Sequence, residues 1–245
     1  MSPSLRANAS KSYTVIAESA WVVLTFVVAS VVVFALADAT GLNDWLETTM
    51  GQLYATVAIY VGGAVAAIAP IVAIRGRGYV FQVLGIDKKP LLKLWWLPFA
   101  LWPLYMLATS VVAVLSQYLL PWVDQNQMQE VGFQDINQPW EYVMAFFGLV
   151  ILPPLAEELM FRGYLLGRLR EKLKPWTAAI FVSIVFGLIH GQWNVGIDVF
   201  VLSLFLCYLR ERTGSIWAGV VLHALKNGIA YFFLFIGPLI GINLL

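Results

Sequence analysis

The sequence is poor in the residues on which most soluble enzymes depend. Only 12% of its 245 residues are Asp, Glu, Lys or Arg, against roughly 25% in an ordinary soluble domain, and this excludes a water-soluble fold. There is one cysteine, Cys207, so no intramolecular disulfide and no thiolate metal cluster can form. Histidine occurs twice, at His190 and His223. The formal net charge is +1, which provides no electrostatic footprint for nucleic acid. Internal repeats, low-complexity tracts and interdomain linkers are also missing. What is abundant is apolar: 60% of residues are hydrophobic and the mean hydropathy is +0.80, a composition that excludes disorder.

The apolar residues fall into long runs, which at about 20 residues per span predict an all-α, polytopic transmembrane bundle of seven to eight spans. The spans lie near 13–37, 52–74, 92–120, 140–168, 176–190, 195–209 and 215–235. Gly228 and Gly237-Pro238 leave room for an eighth helix at the end. The fifth and sixth runs are short, which points to helices sheltered by neighbours or beside a cavity. The chain reads as a single membrane domain over 1–245.

Charge sets the orientation, because cytoplasmic loops retain Lys and Arg while acidic residues count for little. Thirteen of the 15 basic residues fall on one side: Arg6 and Lys11, then Arg75, Arg77, Lys88, Lys89 and Lys93, then Arg168, Arg170, Lys172 and Lys174, then Arg210 and Arg212. The opposite side carries Asp38, Asp44, Glu47, Asp124, Glu130, Asp135, Glu141 and Asp198. The N-terminus is therefore expected in the cytoplasm. Lys11, the following apolar stretch and Ala35-Leu36-Ala37 resemble a secretory signal, but the apolar region exceeds twenty residues and is too long for one.

The two basic residues left over, Arg162 and Lys226, lie within the later spans, as do Glu157 and Glu158; a charge there costs at least ~2.5–3.5 kcal/mol on insertion scales and marks a functional site by default. Pro153-Pro154 is expected to break one helix and restart it, placing Glu157 and Glu158 near a new first turn. The helix dipole and Arg162 account for one carboxylate, since Glu158 and Arg162 are spaced i,i+4 and can pair. Glu157 points about 100° away, lacks that partner and suits a general base. Phe186 with His190, and His223 with Asn227, are two further i,i+4 pairs. An imidazole at membrane depth can accept a proton or bind a metal, and a His/Asn pair can present donors to an oxyanion. At about 1.5 Å per residue, Glu157, His190, His223 and Asn227 can all reach one level, so three helices converge on one buried polar site.

Glu157-Glu158-x-x-x-Arg162, Phe186-x-x-x-His190 and His223-x-x-x-Asn227, in that order on late helices, resemble the CPBP group: type II CAAX prenyl endopeptidases and bacterial bacteriocin-processing proteins. The resemblance covers roughly 140–240, and Thr213–Ala218 is also similar to the bacterial members. It implies an intramembrane endopeptidase of the bacterial inner membrane without a cofactor. Glu157 would activate water with His190 assisting, Glu158 and Arg162 would orient the site, and His223 with Asn227 would stabilise the oxyanion. The implied partners are the bilayer and a membrane-associated peptide or lipidated protein.

Three alternatives stay open at this point. Two histidines and a glutamate could make a zinc site, although the His-Glu-x-x-His helix of zincins is missing. The same residues could form a structural polar network in a non-catalytic immunity or partner-binding scaffold. A proton-coupled transporter also uses buried carboxylates and histidines, but its broken helices occur in both halves, whereas these residues cluster late. Ser183 is about 10 Å along the helix from His190, too far for a nucleophile–base pair, and Cys207 is assigned to packing.

Overall fold

The computed structural model describes residues 3–88, 94–125, 127, 129, 131–133 and 136–242, the side chains of 3–15 excepted. Lys89, Lys93, Glu130, Asp135 and the expected Leu92 start of the third span lie outside the described residues, as do the side chains of Arg6 and Lys11. No strand occurs among the described residues. The helices are α1 (Pro3–Thr40), α2 (Asn43–Glu47), α3 (Thr49–Arg75), α4 (Arg77–Leu84), α5 (Leu97–Leu119), α6 (Pro139–Phe146), α7 (Leu152–Glu157), α8 (Leu166–Arg170), α9 (Pro175–Leu188), α10 (Trp193–Thr213) and α11 (Trp217–Tyr231).

Six stretches are long and apolar enough to cross a membrane, and Pro175–Leu188 is a shorter apolar helix. This is an integral, multi-pass helical membrane protein. The chain from Trp217 to Ile240 is one span: Gly228 lies inside α11, and Gly237-Pro238 begins a closing 3₁₀ turn. No separate eighth helix follows among the described residues. Apolar side chains such as Val31, Val65, Leu107 and Ile180 face outward, as a bilayer requires.

Two expectations are corrected. The chain from Pro139 to Arg170 does not break and restart at Pro153-Pro154 but runs as one span, with π-helical turns over Phe147–Ile151 and Glu158–Leu165 on either side of α7. Widening to i→i+5 bonding absorbs the prolines without opening a new terminus. The glutamates therefore have no free helix end beside them, and the dipole explanation loses its basis. Asp198, counted with the external acidic residues, lies inside α10, where it is bonded to α5.

Small residues allow the close contacts, since apolar burial gives helices little reason to associate in lipid. Gly63, Ala64 and Ala67 of α3 are buried, and Gly63 meets Phe26 of α1. Gly187 of α9 lies so close to α10 that a β-carbon there would stand 2.8 Å from the Gly196 carbonyl. The centre holds Met160, Phe161, Leu165, Val182, Phe186 and Cys207. At the basic end, Arg168 bonds Glu18 of α1 at 2.9 Å, Glu171 at 2.8 Å and Tyr79 of α4 at 2.8 Å. Arg170 reaches Glu211 at 2.7 Å. These contacts tie the first helices to the site-bearing ones.

Candidate active site

The two prolines determine how the site is supported. In an α-helix the Leu149 carbonyl would accept from residue 153, and in a π-turn from residue 154. Both are proline and have no N–H. Asn227 of α11 fills the gap, its Nδ2 donating to Leu149 O at 2.9 Å. A helix defect on one span thus fixes a polar side chain on another.

Glu157 and Glu158 are buried at 6% and 0% exposure, and Arg162 at 0%. Arg162 Nη1 donates to Glu158 Oε1 at 2.9 Å, and its guanidinium lies 4.4 Å from the Phe186 ring centroid. Glu158 Oε1 is also 3.2 Å from His223 Nδ1. Gly219 of α11 leaves the space that Glu158 occupies, since a β-carbon there would stand 2.5 Å from Oε2. Glu157 faces elsewhere: Oε1 accepts from the Tyr60 hydroxyl at 3.1 Å, and Oε2 is 3.6 Å from His223 Nε2.

His190 lies in the turn that follows α9, not on the helix, with Gly191 beyond it in a left-handed conformation at φ 70°. Its Nδ1 is 2.7 Å from Phe186 O. A carbonyl only accepts, so Nδ1 carries the proton and Nε2 is left as an acceptor. The Phe186 and His190 rings meet edge-on at 5.0 Å.

Glu157, His190, His223 and Asn227 line one cavity of about 250 Å³, together with Tyr60, Lys226 and others. Glu158 and Arg162 are the fully buried pair beside it. Gln129 and Val131 of the loop before α6 also line the cavity, and the loop is pinned by Phe133, 3% exposed, in a socket that Gly148 leaves open. Ser183 is buried in the core, away from this cavity. Among the described residues no group of three His, Cys, Asp or Glu side chains is placed to hold a metal ion. Both His223 nitrogens face carboxylates, those of Glu157 and Glu158.

The motifs do not point to Tyr60, which comes from α3 in the first half of the chain, nor to Gly219. Asp198, with Tyr105 and Thr109 bonded to it at 2.7 and 2.6 Å, was also missed. Lys226, 3.6 Å from Asp198, stood out only as a charge within a span.

Comparison with known proteins places the site in a matched segment. Residues 139–229 match the family model "Type II CAAX prenyl endopeptidase Rce1-like". The chain is 29% identical over 77 residues to the Bacillus subtilis (strain 168) protein named "Putative membrane peptidase YdiL", covering 31% of this chain and 32% of that protein. It is also 29% identical over 96 residues to an "Uncharacterized 24.3 kDa protein" of Escherichia coli, covering 37% of this chain and 44% of the relative. The chain thus spans less than half the length of these curated relatives. No solved structure matches.

Proposed function

We propose that this protein, whose residues 139–229 match the Rce1-like type II CAAX prenyl endopeptidase model, is a glutamate-dependent intramembrane endopeptidase of the CPBP group. Its substrates would be membrane-associated peptides or lipidated proteins, and its setting the bacterial inner membrane. The observation that carries the reading is that Glu157, His190, His223 and Asn227 share one cavity. All the helices act as one membrane domain in this scheme, because α3 supplies Tyr60 to Glu157.

Glu157 takes a proton from water, with the Nε2 acceptor of His190 orienting that water, and the hydroxide oxygen bonds to the peptide carbonyl carbon. The carbonyl π pair moves onto oxygen. Asn227 spends one N–H on Leu149 O and has a second for that oxyanion. When the C–N bond breaks, the departing amine receives the proton from Glu157. Glu158 aligns His223 through Nδ1, and Arg162 holds Glu158 in place. No step is routed through a metal.

The test is Glu157→Gln and His190→Ala in purified, detergent-folded protein, against a panel of prenylated and leader peptides. Loss of a positioned general base removes about 10²-fold or more of the rate. Wild-type cleavage by both variants overturns the mechanism. Treating the wild-type protein with a chelator is expected to leave activity in place, whereas a loss restored by added zinc would return the metalloprotease reading.

A further inference from the structure

A second cavity takes no part in that scheme. α1, α3 and the span that bears Glu157 enclose a groove of about 520 Å³ that shares no lining residue with the active-site cavity. Its lining has two parts. Trp21, Pro70, Ile71 and Ile74 make an apolar trough, and Glu18, Arg75, Tyr164 and Arg168 make an ionic end. Trp21 Nε1 donates to the Ala67 carbonyl at 3.3 Å, which fixes the indole between α1 and α3. Ile74, 78% exposed, leaves the flank of the trough open to surrounding lipid.

Most of the ionic end is already paired. Glu18 Oε1 accepts from Arg168 Nε and Nη2 at 3.1 and 2.9 Å, and Oε2 accepts from the Tyr164 hydroxyl at 2.6 Å. Arg168 is shared with Glu171, which does not line the groove. Arg75 is different. Its guanidinium lies 5.4 Å from the Tyr79 ring centroid, and among the described residues no carboxylate pairs with it. Of the charges that line the groove, Arg168 offsets Glu18, and Arg75 is left as an unmatched cation on the last residue of α3.

Arg75 stands at the end of the bundle where the basic residues gather. Ala67, where Trp21 is bonded, precedes it by eight residues, about 12 Å along the helix. The groove therefore presents a cation at the membrane surface and an apolar trough that reaches into the hydrocarbon. A free anion would use only the cation, and a neutral lipid only the trough. An anionic phospholipid uses both, and basic pockets between helices on the cytoplasmic side bind such headgroups. The planar guanidinium fork also matches phosphate oxygens in pairs.

We infer that this groove binds one anionic phospholipid, with its phosphate on Arg75 and an acyl chain along Trp21, Ile71 and Ile74. The lipid bridges α1 and α3 beside Tyr164 and Arg168 of the Glu157-bearing span. Its binding does not depend on the peptidase reading.

The experiment is a scintillation proximity assay on the delipidated protein in detergent, with tritiated dioleoylphosphatidylglycerol as the probe. Unlabelled phosphatidylglycerol is expected to compete about tenfold more strongly than phosphatidylcholine with the same chains, equivalent to about 1.4 kcal/mol. Arg75→Gln is expected to abolish that preference and Arg75→Lys to keep part of it. Arg75 is exposed, so both variants should fold, and monodisperse elution checks that they do. Ala17→Trp, which fills the groove and leaves Arg75 in place, is expected to weaken binding of both lipids. Equal competition by the two lipids, no binding of the probe, or a preference that survives Arg75→Gln overturns the inference. Inorganic phosphate separates a headgroup from a free anion: it is expected not to displace the probe at the concentration at which unlabelled phosphatidylglycerol does. If it displaces the probe as well as the lipid does, Arg75 reads free anions and the lipid assignment fails. A dimer on size exclusion that Ala17→Trp dissociates would assign the groove to a second copy of the chain and overturn the inference as well.

Discussion

Glu157 is held by a residue from the other half of the chain. Tyr60 donates to Oε1 and its ring sits edge-on to Phe26 at 5.2 Å, so α1 and α3 together determine which carboxylate oxygen turns toward His223. If Tyr60 positions the base, Tyr60→Phe lowers kcat by about tenfold with KM unchanged, an effect worth about 1.4 kcal/mol in the transition state. Steady-state kinetics on one peptide checks this, and an unchanged kcat refutes it. The sequence makes the two glutamates, two histidines, Arg162 and Asn227 conspicuous, because charge and imidazole are rare among apolar residues. A tyrosine in an apolar span is not conspicuous, and its partner is 97 residues away. Only the packing of α3 beside α7 brings the hydroxyl to the carboxylate.

At the scale of elements, a helix that stops short and a helix with a defect make the cavity. α9 has 14 residues, about 21 Å, which is less than the ~30 Å apolar core of a bilayer, so the His190-Gly191 turn falls within the bundle. Irregular backbone at that depth is tolerated where it lines a cavity. The shortness of the run was legible, as was the loss of two N–H donors at Pro153-Pro154. Where the orphaned Leu149 carbonyl would find a donor was not, because Asn227 lies on a different span. The contact of α9 with α10 at Gly187 and Gly196 sets the position of His190. Gly187→Val would push against the Gly196 backbone, and overpacking of this kind costs about 1–3 kcal/mol. A lowered thermal unfolding midpoint in detergent, with a larger loss of peptidase rate than of folded protein, is the expected result.

For the whole molecule, the basic residues predict a cytoplasmic N-terminus on a count of seven spans, of which six are long and apolar enough to cross a membrane and the seventh, α9, is shorter. Arg168, Arg170 and Arg210 are also structural: they bond Glu18, Glu211 and the Val83 carbonyl, tying α1, α4 and α10 together at one end. Cys207 is buried and can be replaced by Ser to give a cysteine-free background. In intact cells a membrane-impermeant maleimide is expected to label Asp44→Cys and to leave Lys172→Cys unlabelled until the membrane is opened. The opposite pattern would reverse the orientation.

The sequence by itself determined the solvent, the helical class and the six polar side chains that stand out within the late spans, because a bilayer penalises every charge that lacks a purpose. Tertiary structure decided which of those side chains meet. It separated Glu157, facing Tyr60 and the cavity, from Glu158, enclosed with Arg162, and it put Asp198 and Lys226 next to the same cavity. Spacing along a helix gives direction and depth. Contact between helices depends on where glycines let backbones approach and where prolines leave carbonyls unpaired, and that is settled only when the spans pack.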